Sequence, residues 1–335
     1  MPIKSQFEDR GGDSSNVAGE LTGGVTEIFS NEFAFVALKE DGSVVTWGNE
    51  DRGGDSSDVA EELTEGATEI FSTSDAFAAL KEDGSVVTWG LSGGDSSNVE
   101  KELNTGVTDV FSTRFAFAAL KEDGSVVTWG NEYHGGDSSD VAEELSAGVT
   151  EIFSTNTAFA ALKEDGSVVT WGSEINGGDS SIAIWNDDEK EYVFDDIADQ
   201  LTSGITKIFS TNTAFAALKE DGSVVTWGHE GFGANSSTVA EELSAGVTEI
   251  FSTSGAFAVL KEDGSVVTWG SGDRVEDSSE VKEELSEGIV TLTSPFVRTG
   301  DELIPLFSVT LALTITFMLV LKPIKTLLLK QKDLT

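Results

Sequence analysis

The chain lacks cysteine altogether and has only two histidines among its 335 residues. Without cysteine there is no disulfide framework, no thiolate nucleophile and no cysteine-ligated zinc site. The two histidines, His134 and His229, lie in different repeat units, whereas a catalytic dyad or a metal site needs converging side chains. We therefore expect both to be solvated, and we predict no enzyme activity, no cofactor and no metal.

Basic residues are also scarce. Lysine and arginine number 20 against 60 acidic residues, which gives a formal net charge of -40. That charge repels phosphate backbones, so nucleic-acid binding through counterion release is excluded. Two explanations of the acidity stay open. One is a saline habitat, where salt screens the self-repulsion, and the other is an acidic coat on the rim of a repeat array.

The N-terminus has no apolar stretch of the kind that a secretory signal needs. The long hydrophobic run is near the other end, where 19 uncharged and mainly apolar residues extend from Leu303 to Leu321, followed by four lysines. This length is close to that required to span about 30 Å of hydrocarbon. We predict that residues 301–335 form a C-terminal segment with one apolar transmembrane helix. The side of the membrane on which the rest of the chain lies is left undetermined. The alternative is a buried or aggregation-prone tail.

Glycine, by contrast, is abundant and recurs in a repeat. The string Leu-Lys-Glu-Asp-Gly-Ser-Val-Val-Thr-Trp-Gly occurs six times. Successive copies are spaced by 42, 40, 42, 56 and 42 residues, with their tryptophans at Trp47, Trp89, Trp129, Trp171, Trp227 and Trp269. A repeat of about 40 residues that is rich in strand-forming residues is typical of a β-propeller. We expect these tryptophans to be core or blade-contact residues.

One unit, residues 135–172, shows the predicted elements. A Gly-Gly-Asp-Ser-Ser loop precedes a short helical turn at residues 141–145. Strands are predicted at residues 148–154, 158–163 and 167–171. The second strand carries apolar residues on both faces, as expected when blades stack face to face. The fold class is therefore all-β, with three-stranded blades.

A Glu-Asp-Gly turn, residues 164–166 in this unit, separates the second strand from the third. Asp-Gly is a strong signal for a two-residue hairpin, because both positions tolerate positive φ. The paired carboxylates could suggest acid–base chemistry. Their recurrence in every unit favours a structural turn instead.

The two ends of the array resemble parts of a unit. Residues 2–6 match the third strand at residues 44–48, and residues 277–294 match the front half of a unit. We predict a propeller domain over residues 1–300 with seven blades, in which both termini contribute to the seventh. Residues 296–302 lack the Ala-Phe-Ala pattern, which indicates a weak or incomplete seventh blade.

The pattern Ala-Phe-Ala-Ala-Leu-Lys-x-Asp-Gly-Ser-Val-x-Thr-Trp-Gly resembles the repeat of the regulator of chromosome condensation family over roughly residues 3–297. The short period is most similar to that of compact bacterial members of the β-lactamase inhibitor protein II type. The resemblance implies a seven-bladed propeller. It leaves function open, because this fold hosts nucleotide exchange, ligase scaffolding and enzyme inhibition.

Candidate binding residues lie where the units differ. The loops after Trp-Gly vary and supply Arg52, Tyr133, Phe232 and Arg274, and variable tips over a constant frame are where repeat proteins build binding faces. Sequence drift in unconstrained loops is the alternative.

A 14-residue insertion within residues 182–197 adds Trp185, Tyr192 and Phe194 among acidic residues. Tryptophan and tyrosine are enriched at binding hot spots, so the insertion is a candidate protein contact. The alternative is a small hairpin packed on its own blade.

The function that the sequence favours is a non-catalytic, monomeric protein-interaction scaffold, tethered to a membrane and bound to a protein partner. Two other classes stay open. An enzyme inhibitor would act through the loops after Trp-Gly, and a guanine-nucleotide exchange factor would act on a small GTPase.

Overall fold

The computed structural model describes residues 11–271, which form six small β-sheets, here called blades 1 to 6. The first strands are Val25–Ser30 (β1), Ala67–Ser72 (β4), Val107–Ser112 (β7), Val149–Ser154 (β10), Ile205–Ser210 (β15) and Val247–Ser252 (β18). The second strands are Ala34–Lys39 (β2), Ala76–Lys81 (β5), Ala116–Lys121 (β8), Ala158–Lys163 (β11), Ala214–Lys219 (β16) and Ala256–Lys261 (β19). The third strands are Val44–Gly48 (β3), Val86–Gly90 (β6), Val126–Gly130 (β9), Val168–Gly172 (β12), Val224–His229 (β17) and Val266–Gly270 (β20).

The three-stranded unit predicted from the sequence is confirmed. In blade 4, the strands begin and end within one residue of the predicted positions, in the order β10-β11-β12. Blade 5 alone among the six has five strands, because Ser181–Asn186 (β13) and Glu191–Asp196 (β14) join it. Among the described residues, helical structure between the blades is limited to short 3-10 turns and a single α-helical turn, Glu100–Leu103 (α1).

The two-residue hairpin predicted at Asp-Gly is wrong in its length. The Lys163 N–H donates to the Ser167 carbonyl, which leaves a loop of three residues between them. Gly166 has φ 75°, whereas Asp165 is not among the residues with positive φ. A three-residue loop of this kind places its last residue in the left-handed region, where glycine is favoured.

Successive blades stack face to face, and the alanines of the second strands make that stacking possible. Between blades 1 and 2, Ala34, Val36 and Leu38 pack against Phe77 and Trp89. Comparable clusters of buried residues fill the next gaps along the array. A small side chain on one blade faces an aromatic ring on the next, so both faces of each second strand are buried.

Each repeat tryptophan fastens its blade to the loop that precedes it. In blade 4, the Trp171 indole stacks on Phe159, with ring centroids 5.1 Å apart, and Nε1 donates to the Gly135 carbonyl at 3.0 Å. Gly135 has φ 93°, and a Cβ there would lie 2.6 Å from the Phe159 ring. The tryptophan-to-glycine bond occurs in all six blades, which confirms the tryptophans as blade-contact residues.

The first strands of neighbouring blades contact one another along the whole array. Because first and third strands run antiparallel to the second, both end at the same edge of the blade. We call this edge the variable end, since it carries the loops that differ between units. The opposite edge, with the Glu-Asp-Gly turns, is the turn end.

Blade 1 lacks a neighbour on one side within residues 11–271. Ile28 is 63% exposed, whereas its counterparts in blades 2 to 6 are at most 4% exposed. The predicted seventh blade, residues 2–6 and 277–294, lies outside the described residues, as does the apolar segment at residues 303–321. Within residues 11–271, no helix has the length and apolar character needed to cross a membrane.

Candidate functional site

The loops after the first strands meet at the variable end in a ladder of backbone hydrogen bonds. The Ser74 N–H donates to Arg114 O, Arg114 N–H to Asn156 O, and Asn156 N–H to Asn212 O, at 2.8 to 2.9 Å. Asn212 N–H extends the ladder to Ser254 O at 3.1 Å. Each residue occupies the same position in its own blade. The ladder uses backbone atoms alone, so the side chains at these positions can vary without breaking it.

Arg52, a candidate contact residue, is engaged within the chain. Its Nη1 lies 2.5 Å from Asp75 Oδ1, and the guanidinium stacks over the Phe33 ring at 4.0 Å. These contacts connect the loop of blade 1 to the loop of blade 2. Arg52 therefore has a structural role that the sequence did not reveal.

Of two further candidates, one is exposed and the other lies outside the described residues. Tyr133 is 73% exposed at the tip of the short 3-10 turn Glu132–His134. Arg274 lies outside the described residues. The sequence-based prediction of an inhibitor surface made of Tyr133 and Phe232 stays a prediction.

The insertion forms a β-hairpin that extends blade 5 at its outer edge. Strand β13 pairs in parallel with β17, with Ile182 opposite Gly228 and Ala183 opposite His229. Ala183 is fully buried, and Ile182 packs against two of the core clusters. The inserted residues therefore form a small hairpin packed on its own blade, as the alternative interpretation predicted. Its outer part still remains open to solvent.

An aromatic cluster links the hairpin to the loop after Trp-Gly in the same blade. Its rings contact one another edge-on, with centroids 5.1 to 5.7 Å apart. The contacting pairs are Trp185 with Tyr192, Tyr192 with His229, and His229 with Phe232. Glu230 accepts a hydrogen bond from the Trp185 backbone N–H at 2.7 Å. Three of the predicted candidates, Trp185, Tyr192 and Phe232, are therefore brought together by a histidine that was not predicted to take part.

The hydrogen bonds of His229 define its tautomer. The Gly231 N–H donates to Nδ1 at 3.1 Å, so Nδ1 is unprotonated. Nε2 then carries the proton and donates to the Tyr192 hydroxyl at 3.1 Å. Burial lowers the pKa of His229 below its usual value of 6.5, although the nearby Glu230 carboxylate raises it. The neutral imidazole is the form that holds the hairpin.

His134 is also packed rather than solvated. It meets Phe115 edge-on with centroids 4.9 Å apart, and its Nδ1 lies 2.8 Å from Asn131 Oδ1. Burial, and to a smaller extent Arg114, lowers its pKa. The prediction that both histidines are solvated is wrong, because each is half-buried among aromatic and loop residues.

The exposed face of the hairpin combines apolar and acidic groups. Trp185 is 42% and Phe194 39% exposed, and the pairing of Trp185 with Tyr192 and of Ala183 with Phe194 places these side chains on one face. Asp187 accepts a hydrogen bond from the Trp185 Nε1 at 3.1 Å. We call this face the hairpin surface and define it by six residues: Trp185, Tyr192, Phe194, Asp187, Asp196 and Glu230.

The aspartate carboxylates of the Glu-Asp-Gly turns are structural. Asp165 accepts hydrogen bonds from both the hydroxyl and the backbone N–H of Ser167, at 2.6 and 3.0 Å. These bonds lower the pKa of Asp165, whereas a general acid at neutral pH needs a raised pKa. The turn interpretation is confirmed, and the same bonds recur in the other five turns.

A second set of acidic residues lies on the first strands. One position carries a carboxylate in five blades and a lysine in blade 5: Glu27, Glu69, Asp109, Glu151, Lys207 and Glu249. Desolvation and the Asp109 charge raise the pKa of Glu151, and Lys207 opposes them. Within residues 11–271, no three His, Cys, Asp or Glu side chains are grouped so as to hold a metal ion.

No protein-family model and no curated protein matches the chain. Solved structures do. Yeast RCC1 (Prp20), crystallised with Kap60, is 15% identical, with 84% of this chain and 74% of that chain covered and a TM-score of 0.43. The receptor kinase CR4 ectodomain of Physcomitrella patens is 14% identical, with 74% and 62% covered and a TM-score of 0.42.

A second structure of Prp20p, from Saccharomyces cerevisiae, is 15% identical, with 78% of this chain and 75% of that chain covered and a TM-score of 0.41. Two of these three structures are therefore of the family that the repeat motif resembles. The closer likeness to the compact bacterial type stays a prediction.

Proposed function

We propose that this chain is a non-catalytic protein-interaction scaffold and that the hairpin surface is its partner contact. One observation carries the proposal. Blade 5 alone among the six described blades has an added hairpin, and that hairpin exposes Trp185 and Phe194 instead of burying them. Exposed aromatic side chains on a rigid support are typical anchors of protein interfaces.

Three supports hold this face in place. β13 pairs with β17, Tyr192 bonds to His229, and Glu230 bonds to the Trp185 backbone. A surface that is ordered before binding loses less conformational entropy on association. The hairpin surface is therefore suited to bind a partner without rearranging.

The test is a deletion of residues 182–195, which joins Ser181 to Asp196 and restores the length of the neighbouring units. A partner recovered by affinity capture from the native source should bind the deleted chain at least about tenfold more weakly, and Trp185→Ala should cause much of that loss. Leu91→Ala is the matched control, since Leu91 is an exposed apolar residue in another blade. Unchanged binding after a deletion that leaves the blades folded would refute the proposal.

We also propose that residues 303–321 tether the scaffold to a membrane, on the grounds of their length and apolar composition. The full chain should partition into the membrane fraction, whereas a chain ending at Val297 should remain in the supernatant. Equal partitioning of the two chains would remove the tether from the proposal.

The array is proposed to close with a seventh blade built from both termini. The exposure of Ile28 supports this, because its counterparts Ile70 and Val110 are buried against the preceding blade. Removing residues 1–10 should lower the melting temperature, while removing residues 298–335 should not. An unchanged melting temperature in the first case would argue against a shared blade.

A further inference from the structure

We infer that the hairpin surface takes a lysine- or arginine-rich segment of a protein partner, with a cationic side chain seated against Trp185. This inference rests on the proposed function and specifies the chemistry of the partner. It follows from two features of the surface, namely its aromatic groups and its charge.

The aromatic feature is the Trp185 indole. Tyr192 contacts it edge-on, Asp187 accepts a hydrogen bond from its Nε1, and Trp185 is still 42% exposed. The indole is the aromatic group that attracts a cation most strongly. Phe194, on the same face, offers apolar area to the aliphatic stem of a lysine or arginine.

The charge feature is the excess of carboxylates around that indole. Residues 186–196 contain six acidic residues and one lysine. That lysine, Lys190, lies 3.7 Å from Asp187 on the hairpin itself. Asp187, Asp196 and Glu230 belong to the hairpin surface, so a cationic partner would find both an indole and carboxylates there.

The charge of the whole chain argues against the other occupants. A second copy would bring another net charge of -40 to the same face, and like charges at an interface oppose association. An acidic segment would add like charges to those of the carboxylates, and an uncharged apolar segment would gain no electrostatic attraction from them. A basic segment is the occupant that gains from both features.

The experiment measures binding of three fluorescent peptides of equal length to the full chain in mild detergent. One peptide alternates lysine and arginine with leucine, one replaces the basic residues with glutamate, and one replaces them with serine. The basic peptide should bind at least about tenfold more tightly than the other two. Trp185→Ala should weaken its binding about tenfold while leaving the net charge unchanged.

Two charge variants separate the effect of the hairpin surface on peptide binding from the effect of the net charge of the chain. The triple variant Asp187→Asn, Asp196→Asn and Glu230→Gln keeps an acceptor oxygen at each position but should weaken the basic peptide about tenfold. The matched control, Glu40→Gln, Glu82→Gln and Glu122→Gln, removes three exposed charges at the turn end and should change binding less than about twofold.

With the purified chain, three outcomes would overturn the inference. They are an equal effect of the two triple variants, equal binding of the serine peptide, and a dimer of the chain that Trp185→Ala abolishes. A captured partner that needs the hairpin but has no basic segment would overturn this inference and leave the proposed function standing. Partner binding that survives the hairpin deletion would end both.

Discussion

At the scale of the residue, the repeat tryptophan combines two contacts that the motif alone does not separate. Its ring stacks on the phenylalanine of its own blade, and its Nε1 donates to a glycine carbonyl in the loop from the preceding blade. The first contact is hydrophobic, and the second satisfies a buried polar pair. Loss of either contact should weaken the connection between blades.

The first prediction compares a buried tryptophan with an exposed one. Trp171→Phe removes the bond to Gly135 and leaves its carbonyl unpaired at a buried site, so it should lower the free energy of unfolding by about 2 kcal/mol. Trp185→Phe, at an exposed site, should change it by less than about 0.5 kcal/mol. Urea unfolding monitored by circular dichroism measures both values. Equal effects would show that the indole bond is not structural.

The second prediction concerns pH. Burial lowers the pKa of His229, and its Nδ1 must be unprotonated to accept from Gly231. Since the unfolded histidine binds a proton more readily, the stabilisation is present above about pH 6.5 and is lost as the pH falls through the lowered pKa. Backbone protection of residues 182–186 against hydrogen exchange should fall as the pH decreases from about 6.5 through the lowered pKa of His229. His229→Asn should remove the pH dependence, whereas His134→Asn should retain it.

At the scale of the element, the Glu-Asp-Gly hairpin connects neighbouring blades as well as neighbouring strands. In blade 4, Gly166 accepts at its carbonyl from the Ile205 N–H of blade 5 at 3.0 Å. A Cβ on Gly166 would lie 2.8 Å from Gly204 N. Glycine is thus favoured at this position for two reasons: its φ is positive, and it closely approaches the backbone of the next blade.

The third prediction uses two glycines of similar backbone conformation. Gly166 has φ 75° and Gly148 has φ 79°, but a Cβ on Gly148 would meet only the Lys163 side chain, at 3.5 Å. Gly148→Ala should therefore cost about 1 kcal/mol, from backbone strain alone. Gly166→Ala should cost more, because backbone atoms must also move. Melting temperatures of the two variants test the difference, and the reverse order would contradict the contact between turn and blade.

At the scale of the whole molecule, single lysines reduce the repulsion between carboxylates on the acidic surface. Lys207 occupies a position that carries a carboxylate in the other five described blades, and it opposes the rise in the pKa of Glu151. The remaining carboxylates repel one another at low ionic strength.

The fourth prediction is that Lys207→Glu lowers stability by roughly 0.3–1 kcal/mol at low salt and by much less at about 1 M salt. Thermal melting at the two salt concentrations measures this. Lys101→Glu, an equal charge change on the exposed turn α1, should have the smaller effect. An equal effect of the two variants would attribute the change to net charge instead of to the neighbours of Lys207.

The amino-acid sequence alone was enough to predict the all-β class, the three strands of each unit and the burial of both faces of the second strand. These follow from local properties, since strand-forming residues, a continuous apolar run in the second strand and a glycine turn act within about ten residues. The repeat determined the structural role of its tryptophans as well. The loop length at Asp-Gly was mispredicted, because the φ of Asp165 depends on the whole turn.

Which side chains contact one another across units depends on how the chain packs. The ladder from Ser74 to Ser254 uses backbone groups, so no side-chain pattern could reveal it. Arg52 finds its carboxylate in another blade, and His229 joins Trp185 and Tyr192 only because β13 pairs in parallel with β17. Such contacts depend on how separate units pack, and local sequence preferences carry no information about that packing.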